Sequence, residues 1–183
     1  MSMKLLSNGI CPYLKQSNCI LNHLNIYGCN IGNEGFLKLS EAVVQNRSLV
    51  ILNIGSNSIA GMQSANAIIR ILKECFNILD LNISSNNMGN LSMSRIFTHL
   101  FIEGASICNL DVSNCGITQV QCGADIGRFR MGLPLQSFNF SGNVLKQTLN
   151  TIMQYLQLSR AAGESMGRSQ KKQSLTARGY PGA

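Results

Sequence analysis

Residues 49–59 read Leu-Val-Ile-Leu-Asn-Ile-Gly-Ser-Asn-Ser-Ile, and four other stretches of the chain have the same pattern. These stretches begin at Leu21, Ile78, Ile107 and Leu135, so successive starts lie 28, 29, 29 and 28 residues apart. In each one, apolar residues occupy positions 1, 4, 6 and 11, and position 9 is Asn or Cys. Five copies in one register indicate a repeat architecture, in which each unit buries its apolar face against its neighbours.

Within each stretch the alternation of apolar and polar residues predicts a short, half-buried strand. In the first repeat, Leu24 and Ile26 should point inward and His23, Asn25 and Tyr27 outward. Position 9 should then form an internal ladder, because a buried amide is tolerated only where its donors and acceptors are paired with the turning backbone. Cysteine is a compact substitute there. The predicted ladder residues are Cys29, Asn57, Asn86, Cys115 and Asn143.

Between these stretches lie about 17 residues with helical spacing of apolar side chains. Examples are Phe36, Leu39 and Val43 after the first stretch. The connector at 118–134 contains three glycines, and we expect a shorter or irregular helix there. Parallel strands joined by helices on the opposite side predict an α/β solenoid with the sheet on its concave face.

The pattern L-x-x-L-x-L-x-x-[N/C]-x-L is the leucine-rich-repeat signature. The long period, the mixture of Cys and Asn at position 9, and Gly35 at the start of the first helix resemble the ribonuclease-inhibitor-like subfamily. That resemblance covers residues 19–158. It implies a cytosolic or nuclear protein, in a subfamily that includes ribonuclease inhibitor, NOD-like receptors, Ran GTPase-activating proteins, and repeat regions of actin-regulating and ciliary proteins.

The chain divides into three parts by composition. Residues 1–18 contain Ile10, Tyr13 and Leu14, which indicate the helix of a partial preceding repeat or an N-terminal cap. The repeat domain occupies 19–158, and residues 1–158 carry ten Lys and Arg against seven acidic residues. The tail at 159–183 has five Lys and Arg against one Glu, few large apolar residues, and predicted disorder beyond about Gly163.

The sequence offers little that resembles an enzyme or a cofactor site. Residues 28–35 contain three glycines between a predicted strand and helix, but the Lys-Ser/Thr of a phosphate loop is missing. There is no C-x-x-C and only two histidines, so we expect no metal and no cofactor. Seven cysteines, an odd number, favour reduced thiols in the cytoplasm, with the nucleus, cilium or cytoskeleton also allowed.

Outward strand positions should form columns across the concave face. Position 5 is the most uniform column, with four asparagines and one aspartate. Two interpretations are open: the side chains bond to one another and to water, or they form a polar platform for a peptide. The aromatic and apolar residues that typically anchor a partner lie at the N-terminal end of these columns, so we expect a partner to dock there. The candidate partner-binding residues are His23, Asn25, Tyr27, Ile51, Asn53, Asp80, Asn82, Asp111 and Asn139.

These features together predict a non-enzymatic module for protein–protein interaction, an adaptor or scaffold that binds an unidentified protein on its concave face. One alternative is a regulator of a small GTPase of the Ran GTPase-activating type, although the acidic tail of that family is replaced here by a basic one. The other is a tail-driven binder of nucleic acid or of an anionic membrane, whose binding would weaken steeply with salt.

Overall fold

A computed structural model describes residues 3–120 and 134–144. In chain order its elements are α1 (Met3–Leu5), π1 (Leu6–Ile10), α2 (Cys11–Leu14), β1 (His23–Asn25), α3 (Gly32–Gln45), β2 (Ile51–Asn53), α4 (Gly61–Glu74), β3 (Asp80–Asn82), α5 (Asn90–Thr98), π2 (His99–Glu103), β4 (Asn109–Asp111) and β5 (Ser137–Asn139). The C-terminal end of the predicted repeat domain and the predicted tail at 159–183 lie outside the described residues, as does most of the connector at 118–134.

The five strands form one parallel sheet in the order β1-β2-β3-β4-β5. Their register pairs each strand with the next at the same repeat position, so that Leu24 lies beside Leu52, and Leu81 beside Leu110. The alternation predicted from sequence is observed, because the central residue of β1 to β4 is buried and its two neighbours are more exposed. The predicted α/β solenoid is therefore confirmed.

The helices cover the opposite side of the sheet and pack in chain order, α2 on α3, α3 on α4 and α4 on α5. Their buried faces carry the apolar residues expected from the helical spacing, including Phe36, Leu39, Ile68 and Phe97. The first long helix, α3, begins at Gly32, and the expectation that Gly35 opens it is wrong by about one turn. Gly35 is instead buried within the first turn of that helix.

The asparagines at repeat position 9 form a hydrogen-bonded ladder between successive repeats. Asn57 Oδ1 accepts from the N–H of Ile31 at 3.3 Å, and its Nδ2 donates to the carbonyl of Ile26 at 2.8 Å. Asn86 repeats the arrangement one unit on, accepting from the N–H groups of Asn57 and Ile59, both at 3.0 Å. Both side chains are fully buried. Because every amide is paired, burial of these polar groups is not penalised.

The two cysteines of position 9 differ from each other. Cys115 is fully buried, and its Sγ donates to the carbonyl of Ile83 at 3.4 Å, as an asparagine amide would. Cys29 is only half-buried, because it lies in the first repeat of the described sheet. At the other end, Asn143 is half-buried and accepts from the N–H groups of Cys115 and Ile117. The ladder is therefore most enclosed in its centre.

Residues 3–14 form one unbroken helical segment that packs against α3. Its inward residues Leu6, Cys11 and Leu14 are buried. The buried Asn46 ties the end of this segment to the next loop, since its Nδ2 donates to the carbonyl of Leu14 at 2.9 Å and its Oδ1 accepts from the N–H of Leu49 at 2.7 Å. The segment thus covers the core of the first repeat on the helical side.

Candidate functional site

A groove of about 510 Å³ runs across the exposed face of the sheet. It crosses all five strands, which at a spacing of about 4.8 Å corresponds to a length of about 19 Å. The strand register aligns positions 3 and 5 of successive strands along the groove, and most of the lining residues occupy these two positions, together with three leucines of position 4. The lining residues are His23, Ile51, Leu52, Asn53, Asp80, Leu81, Asn82, Asn109, Leu110, Asp111, Ser137 and Asn139.

The position-3 column consists of His23, Ile51, Asp80, Asn109 and Ser137, aligned by the strand register. The polar side chains of this column make no hydrogen bond or ion pair with any other described residue. Their identities vary from repeat to repeat, from imidazole to alkyl, carboxylate, amide and hydroxyl. Within residues 3–120 and 134–144, the fold therefore does not use these side chains for hydrogen bonds or ion pairs.

The position-5 column, in contrast, is used by the backbone. In every repeat the side-chain oxygen accepts from the N–H two residues further on, which closes the turn at the end of the strand. The donor–acceptor distances lie between 2.8 and 3.2 Å. The five pairs are Asn25 with Tyr27, Asn53 with Gly55, Asn82 with Ser84, Asp111 with Ser113, and Asn139 with Ser141.

This contact explains why aspartate can replace asparagine in the fourth repeat, since only an acceptor oxygen is needed. It also gives the column a role that neither interpretation included, since every side chain of the column closes a turn. The one side-chain pair along the column that the described residues make joins Asn139 Nδ2 to Asp111 Oδ2 at 3.0 Å. The amide nitrogens of Asn25, Asn53 and Asn82 make no hydrogen bond within the described part of the chain, and they can still donate to a ligand.

Tyr27 lies beside the groove and does not line it, and the same is true of Asn25. The tyrosine side chain is half-exposed and its ring lies over Gly55. A Cβ built on Gly55 would come within 2.6 Å of Tyr27 Cδ2, so the close approach of ring and backbone requires glycine. Tyr27 is thus partly a packing residue. The sequence did not reveal its contact with Gly55, because the two residues belong to different repeats.

Asp80 and Asp111 are the two acidic side chains that line the groove. They lie on neighbouring strands, two residues out of register, since Asp80 pairs with Asn109. No Lys or Arg lines the groove. Asp111 is engaged by Ser113 and Asn139, whereas the Asp80 carboxylate has no hydrogen bond or ion pair among the described residues. The groove therefore presents net negative charge.

A second charged group lies on the helical side of the molecule. Glu103 Oε2 is 2.9 Å from Lys73 Nζ and 3.0 Å from His99 Nδ1, although the latter contact lies off the direction of a good hydrogen bond. The histidine is buried, and this burial lowers its pKa despite the nearby carboxylate. The pattern of apolar residues in the sequence does not indicate that His99 is buried.

The described cysteines are all free thiols. Burial raises the pKa of Cys75 and of Cys115 to about 11, so both stay protonated at neutral pH and act as packing residues. Residues 3–120 and 134–144 contain no cluster of three or more His, Cys, Asp or Glu side chains that could hold a metal ion. In the same residues, no helix is long and apolar enough to cross a membrane.

Comparison with known proteins gives matches by sequence and by fold. The Leucine Rich repeat family matches residues 17–40. A stretch of 86 residues is 30% identical to the human protein "NACHT, LRR and PYD domains-containing protein 13", covering 47% of this chain and 8% of that protein. The chain thus corresponds to a small fraction of the length of this relative.

Two solved structures share the architecture at low sequence identity. The first, "Leiomodin-1 Actin-Binding Site 2 (ABS2)", superposes with a TM-score of 0.68 at 17% identity, covering 90% of this chain and 95% of the other. The second, a tropomodulin C-terminal domain from Caenorhabditis elegans, has a TM-score of 0.66 at 15% identity, with 91% and 99% covered. Together with the sheet register, these similarities show that the chain folds as an α/β leucine-rich-repeat solenoid.

Proposed function

We propose that this chain is a non-enzymatic protein–protein interaction module, an adaptor or scaffold whose partner docks in the concave groove. The observation that carries the proposal is that the two outward columns have different roles in the fold. The position-5 side chains close the turns after the strands, whereas the polar position-3 side chains have no partner in the described part of the chain. Variable side chains on a rigid, repetitive frame are what a recognition surface requires.

The size of the groove fits an extended protein segment. At about 3.3 Å per residue, a length of about 19 Å accommodates about six residues of an extended chain crossing the strands. The apolar Ile51 and the exposed faces of His23 and Tyr27 lie near one end, where they can supply the desolvated contacts from which interfaces take most of their energy. Asp80 and Asn109 of the position-3 column supply polar contacts further along.

We also propose that the repeats are of the ribonuclease-inhibitor-like class and that the protein works in a reducing compartment such as the cytoplasm. Support for the class comes from the 28–29-residue period and from the 14-residue helices α3 and α4. Support for the compartment comes from the buried free thiols, since disulfides are rare where thiols are kept reduced. Thiol labelling of the protein in native cells tests the latter, and disulfide-bonded protein would contradict it.

The matched experiment is affinity purification from native cells with three forms of the full chain. Ile51→Arg places a long cationic side chain in the groove, and Asn66→Arg places the same residue on the exposed surface of α4. Partners recovered with the wild type and Asn66→Arg but lost with Ile51→Arg support docking in the groove. Equal recovery by Ile51→Arg, with unchanged circular dichroism, overturns it.

A named candidate partner can be tested in the same way. Because the similar leiomodin structure is that of an actin-binding site, actin co-sedimentation with the full chain is a direct first assay. Sedimentation that Ile51→Arg abolishes would identify actin as a partner of the groove. Absence of sedimentation would leave the groove proposal to the purification experiment, since the shared fold at 17% identity does not specify the ligand.

A further inference from the structure

The groove carries a charge that the rest of the chain can match. Its lining contains two carboxylates and no Lys or Arg. The segment at 159–183 contains Arg160, Arg168, Lys171, Lys172 and Arg178 against the single acid Glu164. The basic tail of the chain and the acidic groove of the described fold are thus complementary.

We propose that residues 159–183 dock across the groove at Asp80 and Asp111 and compete there with an external partner. This inference rests on the groove being the binding surface proposed above, and it adds a means of regulating that surface. No element among residues 3–120 and 134–144 packs on the groove side of the sheet, and the chain itself supplies a segment of opposite charge. The partner of Asp80, which has none among the described residues, would be an ammonium or guanidinium group of this segment.

The reach of the chain permits this contact. The described part ends at Val144, shortly after β5, whose Ser137 and Asn139 line the near end of the groove. From Val144 to Lys171 there are 27 residues, which when extended can span at most roughly 90 Å, more than four times the length of the groove. Docking therefore needs no change in the described fold.

Tethering makes even a weak site effective. Two parts of one chain joined by a short connection encounter each other at an effective concentration of the order of millimolar. A segment held only by exposed charge pairs would fail to bind as a free peptide, but it can occupy the groove for much of the time when it is tethered. Such docking is sensitive to salt, because exposed charges are screened over a Debye length of about 10 Å at 0.1 M.

The test is zero-length carbodiimide cross-linking of the full chain, followed by mass spectrometry. The reagent joins a carboxylate to an amine in direct contact, so it reports on Asp80 or Asp111 paired with Lys171 or Lys172. The pair Lys73–Glu103, whose charged atoms are 2.9 Å apart in two different repeats, provides an internal positive control. We expect tail cross-links to both aspartates in monomeric protein, with a yield independent of protein concentration.

Two perturbations separate docking from chance reactivity. Asp80→Asn should lower the yield of the Asp111 cross-link several-fold although Asp111 is unchanged, while the Lys73–Glu103 cross-link stays constant. Raising the salt concentration from about 0.05 to about 0.5 M should also lower the yield of the cross-links between the tail and the two aspartates. Tail cross-links that favour acidic residues of the helices, that appear only between two molecules, or that are absent while the control pair reacts would overturn the proposal.

A separate readout keeps this inference apart from the proposed function. The full chain with Lys171→Gln and Lys172→Gln should bind the purified partner several-fold more tightly than the wild type, because competition for the groove is reduced. If the cross-links form but the affinity is unchanged, the tail docks and the partner binds elsewhere, so the proposed function fails. If Ile51→Arg abolishes partner binding but no tail cross-link forms, the function stands and the docking inference fails.

Discussion

Substitution of Asn86 by alanine tests the ladder that holds the repeats together. The side chain is fully buried, accepts from two N–H groups, and donates to three carbonyls. Each of those carbonyls has a second donor: Asn57 Nδ2, Cys115 Sγ or the N–H of Ser56. The loss therefore falls mainly on the N–H groups of Asn57 and Ile59, which have no other acceptor among the described residues.

An unsatisfied buried donor costs about 1–3 kcal/mol, so the expected loss in the free energy of unfolding is about 2–6 kcal/mol. Domains of this size are stable by about 5–15 kcal/mol, and Asn86→Ala should be close to the limit of folding. Asn86→Cys should lose less than Asn86→Ala, because a thiol sulfur is a weak hydrogen-bond acceptor that can partly satisfy these two N–H groups, and Cys115 fills the same position in the fourth repeat.

The assay is urea unfolding followed by circular dichroism. Asn87→Ala provides the matched control, since it removes an exposed amide one residue away. The order of stability should be wild type and Asn87→Ala, then Asn86→Cys, then Asn86→Ala. If Asn86→Ala is as stable as Asn87→Ala to within about 0.5 kcal/mol, or if the cysteine variant is the least stable, the reasoning about the two N–H donors is wrong.

Three further predictions concern the sheet face and the helical side. Gly55→Ala should destabilise the fold by about 1–3 kcal/mol by displacing the Tyr27 ring, and Tyr27→Ala should relieve most of that cost in a double-mutant cycle followed by urea unfolding. Asn82→Asp should keep the acceptor for the N–H of Ser84 and leave the stability within about 0.5 kcal/mol of wild type, whereas Asn82→Ala should lose about 0.5–1.5 kcal/mol; equal losses would contradict the turn-closing role. Burial in the folded state lowers the pKa of His99, so its contribution to stability should be complete above about pH 6.5 and should decrease as the pH falls below that value. His99→Gln should therefore reduce the pH dependence of the thermal unfolding temperature between about pH 7.5 and 5.5. An unchanged pH dependence would contradict the assignment.

The sequence predicted the sheet to the level of individual columns, because the repeat period fixes which residues are neighbours. Every pairing of positions 3 and 5 inferred from the repeat is observed in the register from β1 to β5. The periodicity also identified the buried faces of α3 and α4. These features follow from local patterns repeated five times, and such patterns are visible in one sequence.

The parts that sequence reasoning missed depend on geometry between or within repeats. The role of Asn82 and its equivalents follows from a side-chain contact to the backbone N–H two residues further on. The signal in the sequence was an acceptor side chain at position 5 with a mostly small residue at position 7. The contact between Tyr27 and Gly55 joins two repeats, and no pattern within one repeat reports it. The burial of His99 depends on the π-helical turn that ends α5, which no pattern in the sequence indicated.

The division of labour between the two columns of the groove is tested by measuring folding and binding separately. Each residue of the position-3 and position-5 columns would be replaced by alanine in the full chain, with unfolding free energy and affinity for the purified partner measured on every variant. We predict that position-3 changes weaken binding at unchanged stability, and that position-5 changes chiefly reduce stability. Position-3 variants that bind normally, or position-5 variants that lose binding while keeping full stability, would contradict this division.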